Sequence, residues 1–386
     1  MAGAITNARI LTPDESFEPG SIVFDDEGRI AAVGANLDPP PRIEITDARG
    51  LTLVPGFVDI HVHGGGGFSL ATDDPEEMRS YARWVVSHGV TSFVATICAG
   101  TLQEGLGFVR TAAASTDFVG GGANILGVNL EGPFVSPDRR GALPASWPAA
   151  AEVREFERLA TAADGRLRLM TLAPEVANAQ KVISTAVARG VTVSVGHSDA
   201  DYDKALFAFE SGASHVTHAF NAMRPFHHRD PGVVGAALDS PGVTVEVIAD
   251  GIHLHSATVN MLVKAFTPDR VALITDGVPP AGVDHGKFRL GDEEATLAGN
   301  RVLLRDGTIA GSAATMAGIV RNVVKWVVAD LSDAVRMAST VPARVVGFSD
   351  RKGRLATGYD ADIIALDSDI SVAMTWVGGR LVYKRT

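Results

Sequence analysis

The chain of 386 residues has one cysteine, Cys98. No intrachain disulfide can form, so a disulfide-framed scaffold is excluded and a reducing compartment fits best. Positive charge is also short. Lys and Arg number 34 against 45 Asp and Glu, which gives a formal net charge of -11 and a pI near 5.5. Nucleic acid and anionic membranes both call for a basic surface, so neither is an expected partner. An anionic substrate would need its own local cationic pocket. No uninterrupted apolar run reaches the roughly 18 residues of a membrane span, and the first residues, Met1 to Arg9, lack a basic region followed by an apolar stretch. The expectation is a soluble, cytoplasmic protein. What is present is a globular composition, 46% hydrophobic and 20% charged, in a chain long enough for one large barrel or two ordinary domains.

Both ends of the chain are β-rich. Ser21-Ile22-Val23-Phe24 and Arg29-Ile30-Ala31-Ala32-Val33 flank Asp25-Asp26-Glu27-Gly28, a hairpin signal with glycine late in the loop. At the far end, residues 362–367, 372–377 and 380–383 alternate with turns, the last of them Gly378-Gly379. Strands so few and short cannot bury an adequate core alone. The two ends therefore predict one small β-sandwich, built from residues 1–54 and 347–386, with residues 55–346 inserted as a second domain.

In the insert, apolar β-type runs alternate with helical patterns. The runs lie at 57–62, 90–95, 125–130, 167–172, 191–195, 214–218, 243–248 and 271–276, with helix candidates at 75–87, 176–189 and 202–211. The gap after His218 reads mostly as loop with a brief apolar segment. Eight such units imply an α/β fold, a closed parallel (β/α)8 barrel of TIM type whose buried strands read as continuous apolar runs. A doubly wound open sheet is the alternative.

Polar residues stand where barrel chemistry belongs, at the C-terminal ends of the strands. The first run, Phe57-Val58-Asp59-Ile60-His61-Val62-His63, places Asp59, His61 and His63 on one face at strand period. The glycines that follow, Gly64 to Gly67, would leave room for a ligand or metal and free the backbone to turn. Glu131 ends the third run, His197 the fifth, His218 the sixth and Asp276 the eighth. Imidazoles with a carboxylate suit Zn²⁺ or Fe²⁺, and three protein ligands leave a position for water. A metal would lower that water's pKa from about 15.7 to about 7, and Asp276 would be free to act as a base.

The order His-x-His, Glu-Gly-Pro-Phe, Gly-His-Ser, Thr-His-x-Phe-Asn-Ala-Met and Thr-Asp-Gly, with β-rich flanks, resembles the amidohydrolase superfamily and within it the N-acetylglucosamine-6-phosphate deacetylase family. The resemblance implies metal-dependent removal of an acetyl group from an amino-sugar phosphate, in amino-sugar catabolism and cell-wall recycling. It implies Glu131, His197 and His218 as ligands of the principal metal, with His61 and His63 holding a second in those members that bind two ions. It further implies Asn221, Ala222, Arg229 and His253 at the sugar phosphate, and residues 307–312, Ile309 among them, near the acetyl group. A homodimer is implied, Arg229 reaching the neighbouring active site. Where many members have histidine after Arg140-Gly141-Ala142, this chain has Leu143. An amidohydrolase acting on another N-acyl or cyclic amide therefore stays open, as does an inactive scaffold barrel.

Other features read as structural. Cys98 follows an apolar strand and is expected as a small buried hydrophobe; His88 precedes Gly89 as a helix C-terminal residue before its cap. His215 lies three residues before His218, on the opposite face of a strand, and is not expected as a ligand. Residues 283–306 are expected as a hairpin over the barrel mouth, and 313–329 as a core-packed helix.

Overall fold

The apolar runs of the insert become eight parallel strands: β1 (Phe57–Val62), β2 (Val90–Ile97), β3 (Asn124–Glu131), β4 (Leu167–Leu172), β5 (Thr192–Val195), β6 (His215–Val216), β7 (Thr244–Val247) and β8 (Val271–Leu273). In this computed structural model the described residues are 2–12, 15–35, 37–116, 120–283, 286–290 and 293–386. Each strand pairs with the next in chain order. Just past β8 the ends meet. Val62 bridges Gly277 in parallel, the Asp276 N–H donates to the His61 carbonyl at 2.9 Å, and the His63 N–H donates to the Gly277 carbonyl at 2.7 Å. The sheet is thus nearly closed into a barrel, and the open-sheet alternative falls.

All six residues of β1 and all eight of β2 are buried, because side chains on one face fill the barrel and those on the other pack beneath helices. Burying each Val, Ile or Phe there contributes about 1.5–3 kcal/mol. The intervening helices start where side-chain acceptors satisfy their first free N–H groups. Asp74 accepts from the Glu76 N–H ahead of Pro75–Val85, Thr101 from Glu104 ahead of Leu102–Ser115, and Asp201 from Lys204 ahead of Tyr202–Glu210. His88 ends a 3-10 turn, and Gly89 takes φ 83, as expected of a capping glycine. The region after His218 holds a helix as well, Gly232–Leu238.

The chain ends form one mixed sheet of eight strands, in which Thr52–Pro55 pairs antiparallel with Ile363–Leu366. Lys352, 6% exposed, sits between Asp360 at 3.0 Å and Asp362 at 2.6 Å, and Asp362 accepts from Ser92 of β2 at 3.5 Å. A buried charge cluster thereby fastens the small sheet to the barrel.

Within 283–306, strands Gly286–Leu290, Glu293–Ala298 and Arg301–Leu304 continue to Ile309–Ser312 as a four-stranded antiparallel sheet. Residues 284–285 and 291–292 of the expected hairpin lie outside the described residues. Its last strand is tied to the end of β8: the Ser312 N–H donates to the Asp276 carbonyl at 2.8 Å. Helix Met316–Lys325 follows, within the expected 313–329.

One expectation needs correction. The glycines after His63 do not clear space for a ligand. A Cβ on Gly64 (φ 155) would lie 2.2 Å from the Phe68 carbonyl oxygen, and one on Gly65 or Gly66 would lie 2.4 or 2.6 Å from the Trp84 ring. Close packing of this protein's own atoms demands them, and Gly67 alone faces open space.

Candidate active site

Strand-end residues from five elements converge at the mouth of the barrel. Glu131 Oε1 lies 3.3 Å from His61 Nε2, 2.9 Å from His197 Nε2 and 3.1 Å from His218 Nε2. Its other oxygen is 3.2 Å from His63 Nε2. Asp276 Oδ1 stands 3.6 Å from His61 Nε2 and 3.5 Å from His63 Nε2. All six expected residues are therefore brought together. Strand alternation alone does not do this: His197, His218 and Asp276 have φ of 46°, 25° and 48°. Such left-handed backbone costs about 1–3 kcal/mol per residue and persists only where the surroundings enforce it; here it swings each side chain off its strand toward the common centre.

The cluster fits a metal. His197 and His218 bring Nε2 to Nε2 at 3.1 Å, close to the roughly 3.3 Å between nitrogens on one tetrahedral Zn²⁺ with bonds of about 2.0–2.1 Å. His61 Nε2 is buried with no hydrogen-bond partner. His61, Glu131 and His218 form one group of donor atoms within 4.8 Å of one another, and His61, His63 and Asp276 form a second. Two of the outer nitrogens are held by partners, whereas His218 Nδ1 is buried without one among the described residues. The His197 Nδ1–H donates to the Arg139 carbonyl at 2.9 Å, and His61 Nδ1 meets Glu246 Oε2 at 2.9 Å. Such outer partners orient imidazole ligands and make them better donors.

Electrostatics point the same way. Burial by itself pushes the His61 ring down, yet the charges of Glu246 and Glu131 outweigh it and hold its pKa well above the ordinary histidine value. Burial likewise opposes ionisation of Glu131, but His197 and His61 keep that carboxyl well below its usual range. For Asp276, burial raises and His63 and His61 lower, leaving it below the ordinary range and ionised at neutral pH. The carboxylates attract a cation, and a proton on the rings or a metal between them meets that need.

Among the other expected residues, Asn221 and Ala222 follow His218 directly. The Asn221 backbone N–H is taken by the His218 carbonyl at 2.9 Å, and its side-chain amide donates to the carbonyls of His218 and Ala219. A Cβ on Gly141 would lie 3.3 Å from Ala222 and 3.6 Å from the His197 ring, so the 140s loop runs over this edge. His253 meets Asp250 through Nδ1 at 2.8 Å. Burial lowers its pKa, but Asp250 and the nearby Asp276 raise it further, leaving it elevated. Arg229 is exposed, and its guanidinium donates to His228 Nε2 at 2.7 Å; no hydrogen bond or ion pair among the described residues joins it to the cluster. Hydrogen bonds in both directions between His227 and Asp230 close a tight turn that turns it outward. Ile309 is 37% exposed at the start of its strand, and Leu143 is packed with Ala99, Val135 and Trp147 in an apolar cluster.

One residue of consequence, Glu246, went unmarked in the sequence, and the surroundings expected for His215 and Cys98 need correction. Glu246, fully buried, joins His61 to His215, whose Nε2 lies 3.2 Å away. His215 is thus inside the barrel, one layer beneath the cluster, and not on the far face. Thr217 shares that interior, bonding Thr171 and Ser194, and it is His218 that leaves the alternation. A lone carboxylate in the apolar run Val243-Thr244-Val245-Glu246-Val247-Ile248 was the available signal. Cys98 is half-buried and not a core residue, its sulfur within 4.8 Å of donor atoms of His63 and Glu131.

A model of the amidohydrolase family matches residues 52–382. The chain is 34% identical over 383 residues to N-acetylglucosamine-6-phosphate deacetylase of Bacillus subtilis, covering 98% of this chain and 96% of that one. It is 36% identical over 394 residues to the Homo sapiens enzyme of the same name, covering 98% and 91%. It is 34% identical over 378 residues to N-acetylgalactosamine-6-phosphate deacetylase of Escherichia coli O157:H7, covering 98% of each. Among solved structures, a mutant N-acetyl-D-glucosamine-6-phosphate deacetylase from Mycobacterium smegmatis, in complex with N-acetyl-D-glucosamine-6-phosphate, superposes with a TM-score of 0.93 at 34% identity, over 99% of this chain and 100% of that one.

Proposed function

The chain belongs to the amidohydrolase family, and on that premise we propose that it hydrolyses the acetamide of N-acetylglucosamine 6-phosphate to glucosamine 6-phosphate and acetate. This is a step of amino-sugar catabolism and of cell-wall recycling. The observation that carries the reading is the convergence of four imidazoles on Glu131, with Asp276 beside them. It occurs in a chain whose nearly full-length relatives deacetylate this class of sugar phosphate.

The donor set suits Zn²⁺ first and Fe²⁺ second. Glu131, His197 and His218 would hold the principal ion, and His61 and His63 a second. When bound, the metal polarises the amide carbonyl and lowers the pKa of a water from about 15.7 toward about 7. Asp276, ionised at neutral pH, takes the proton of the attacking water and passes it to the amide nitrogen as the C–N bond breaks. An amine needs that proton to leave. His253 and the Asn221-Ala222 segment line the sugar side, and residues 307–312, with Ile309, lie toward the acetyl group. Leu143 contributes no polar group. The barrel domain runs from 55 to 346 and the small β domain comprises 1–54 and 347–386. No described helix is long and apolar enough to cross a membrane, and a single thiol fits the reducing cytoplasm.

Acetate release from a panel of N-acetyl sugars tests the assignment, and indifference to the 6-phosphate would overturn it. The 4-epimer, N-acetylgalactosamine 6-phosphate, belongs in the panel, because a relative of equal identity is named for it. Arg229 is the proposed phosphate contact of the neighbouring subunit in a homodimer. Arg229→Ala chains mixed with Asp276→Asn chains should then recover activity, because one site of the mixed dimer combines both intact residues. Mixed dimers without recovery would place Arg229 elsewhere.

A further inference from the structure

β2 ends at Ile97, and Cys98 is the next residue. Its sulfur, a ring nitrogen of His63 and a carboxylate oxygen of Glu131 all lie within 4.8 Å of one another. Behind the sulfur is apolar packing: Ala99, Val135, Leu143 and Trp147 form a cluster against which Cys98 rests. The polar partners on its other side are thus the metal-type donors. An independent observation marks that side as short of a cation. His61 Nε2 is fully buried and without a hydrogen-bond partner, and it aims at Glu131 and Asp276 at 3.3 and 3.6 Å. Distance permits a shared ion. With bonds of about 2.3 Å to sulfur and 2.0–2.1 Å to nitrogen at the tetrahedral angle, sulfur and nitrogen on one Zn²⁺ stand about 3.6 Å apart, so donors within 4.8 Å of one another need close by about 1.2 Å at most, within reach of side-chain rotation.

We propose that Cys98 is a thiolate ligand of the ion held on the His63 side of the centre. This deepens, and rests on, the metal-dependent reading of the site. On binding, the S–H bond breaks, the proton passes to bulk water, and a sulfur lone pair forms the bond to the cation; no electron is transferred. A thiolate turns this half of the centre from a nitrogen and oxygen site into one that favours thiophilic divalent cations such as Zn²⁺, Co²⁺ and Cd²⁺ over Mg²⁺ and Mn²⁺.

The test uses the full chain, stripped of metal and titrated with Co²⁺ without oxygen. The wild type should develop a thiolate-to-cobalt charge-transfer band in the near ultraviolet. Because the chain holds one cysteine, no other thiol can produce it. Cys98→Ser and Cys98→Val should both lack the band, and each should bind one cobalt equivalent at least about tenfold more weakly, since even loss of an outer-shell partner costs 10–100-fold. Cobalt visible transitions from the Glu131, His197 and His218 side should survive in both variants and report that they are folded. Cobalt binding and acetamide hydrolysis in the wild type without the near-ultraviolet band would overturn the role of Cys98 while leaving the deacetylase reading intact. A band that persists in Cys98→Val would also overturn it. A wild-type protein that takes up no transition metal would defeat both.

Discussion

Replacing Glu246 by glutamine removes one negative charge from beneath the candidate metal centre while keeping the side chain's shape. Glu246 is fully buried. Its Oε2 accepts from His61 Nδ1 at 2.9 Å and from the His218 backbone N–H at 3.0 Å, and its Oε1 faces His215 Nε2 at 3.2 Å. Burial opposes its ionisation, but His61 and His215 hold the carboxyl well below its ordinary range. An ionised carboxylate only accepts, so His61 must carry its proton on Nδ1 and present Nε2 to the cluster. Glutamine can still accept from His61 and His218 with its oxygen. Its amide would face His215, which switches tautomer and donates from Nδ1 to Thr244 Oγ1, 2.5 Å away. The fold should therefore survive, while the lost charge makes His61 a poorer donor. Metal affinity should fall about 10–100-fold, or about 1.4–2.7 kcal/mol. Glu246→Ala should do more, because it strands two ring N–H groups and one backbone N–H in a dry interior. That should lower stability by about 3–5 kcal/mol. Competition with a chromophoric chelator measures the first effect, and denaturant unfolding of metal-free protein measures the second. Wild-type metal affinity in Glu246→Gln would refute the positioning role, and equal instability in both variants would reduce Glu246 to a structural residue.

Asp276→Asn should keep fold and metal yet lower turnover on the order of 10²-fold or more, as loss of a positioned proton shuttle does; steady-state acetate release checks it, and near wild-type turnover would remove Asp276 from the chemistry. Lys352→Met leaves Asp360 and Asp362 without their shared buried cation and should cost about 3–5 kcal/mol in denaturant unfolding with little change in the catalytic centre. His88, packed on Trp84 with ring centroids 4.6 Å apart, has its pKa pushed down by burial from 6.5 to about 4. Folding therefore favours its neutral form, and its contribution is present above pH 6.5 and lost as pH falls through about 4. It amounts to about 3 kcal/mol at most. Unfolding curves across that window should be flatter for His88→Gln, and identical slopes would refute the argument.

The sequence by itself determined the barrel, because eight apolar runs with helices between them have few ways to bury both faces, and it placed the chemistry-bearing residues at strand ends. His61, His63, Glu131, His197, His218 and Asp276 were legible for that reason. Periodicity could not show how they meet. His197, His218 and Asp276 reach the centre through left-handed backbone, a conformation imposed by tertiary packing and invisible to a rule of alternation, and the same rule misplaced His215. Gly64, Gly65 and Gly66 were recognisable as a tight turn, but only the folded chain revealed that Phe68 and Trp84, distant along the turn or on the next helix, require them. Glu246 lies 185 residues from His61, and the two touch only because barrel closure brings β7 across from β1. Cys98 looked apolar in its local run; its sulfur acquires polar neighbours only when β2 ends beside β1 and β3. Local pattern specifies which face a side chain takes, whereas the identity of what it faces is set by closure of the sheet.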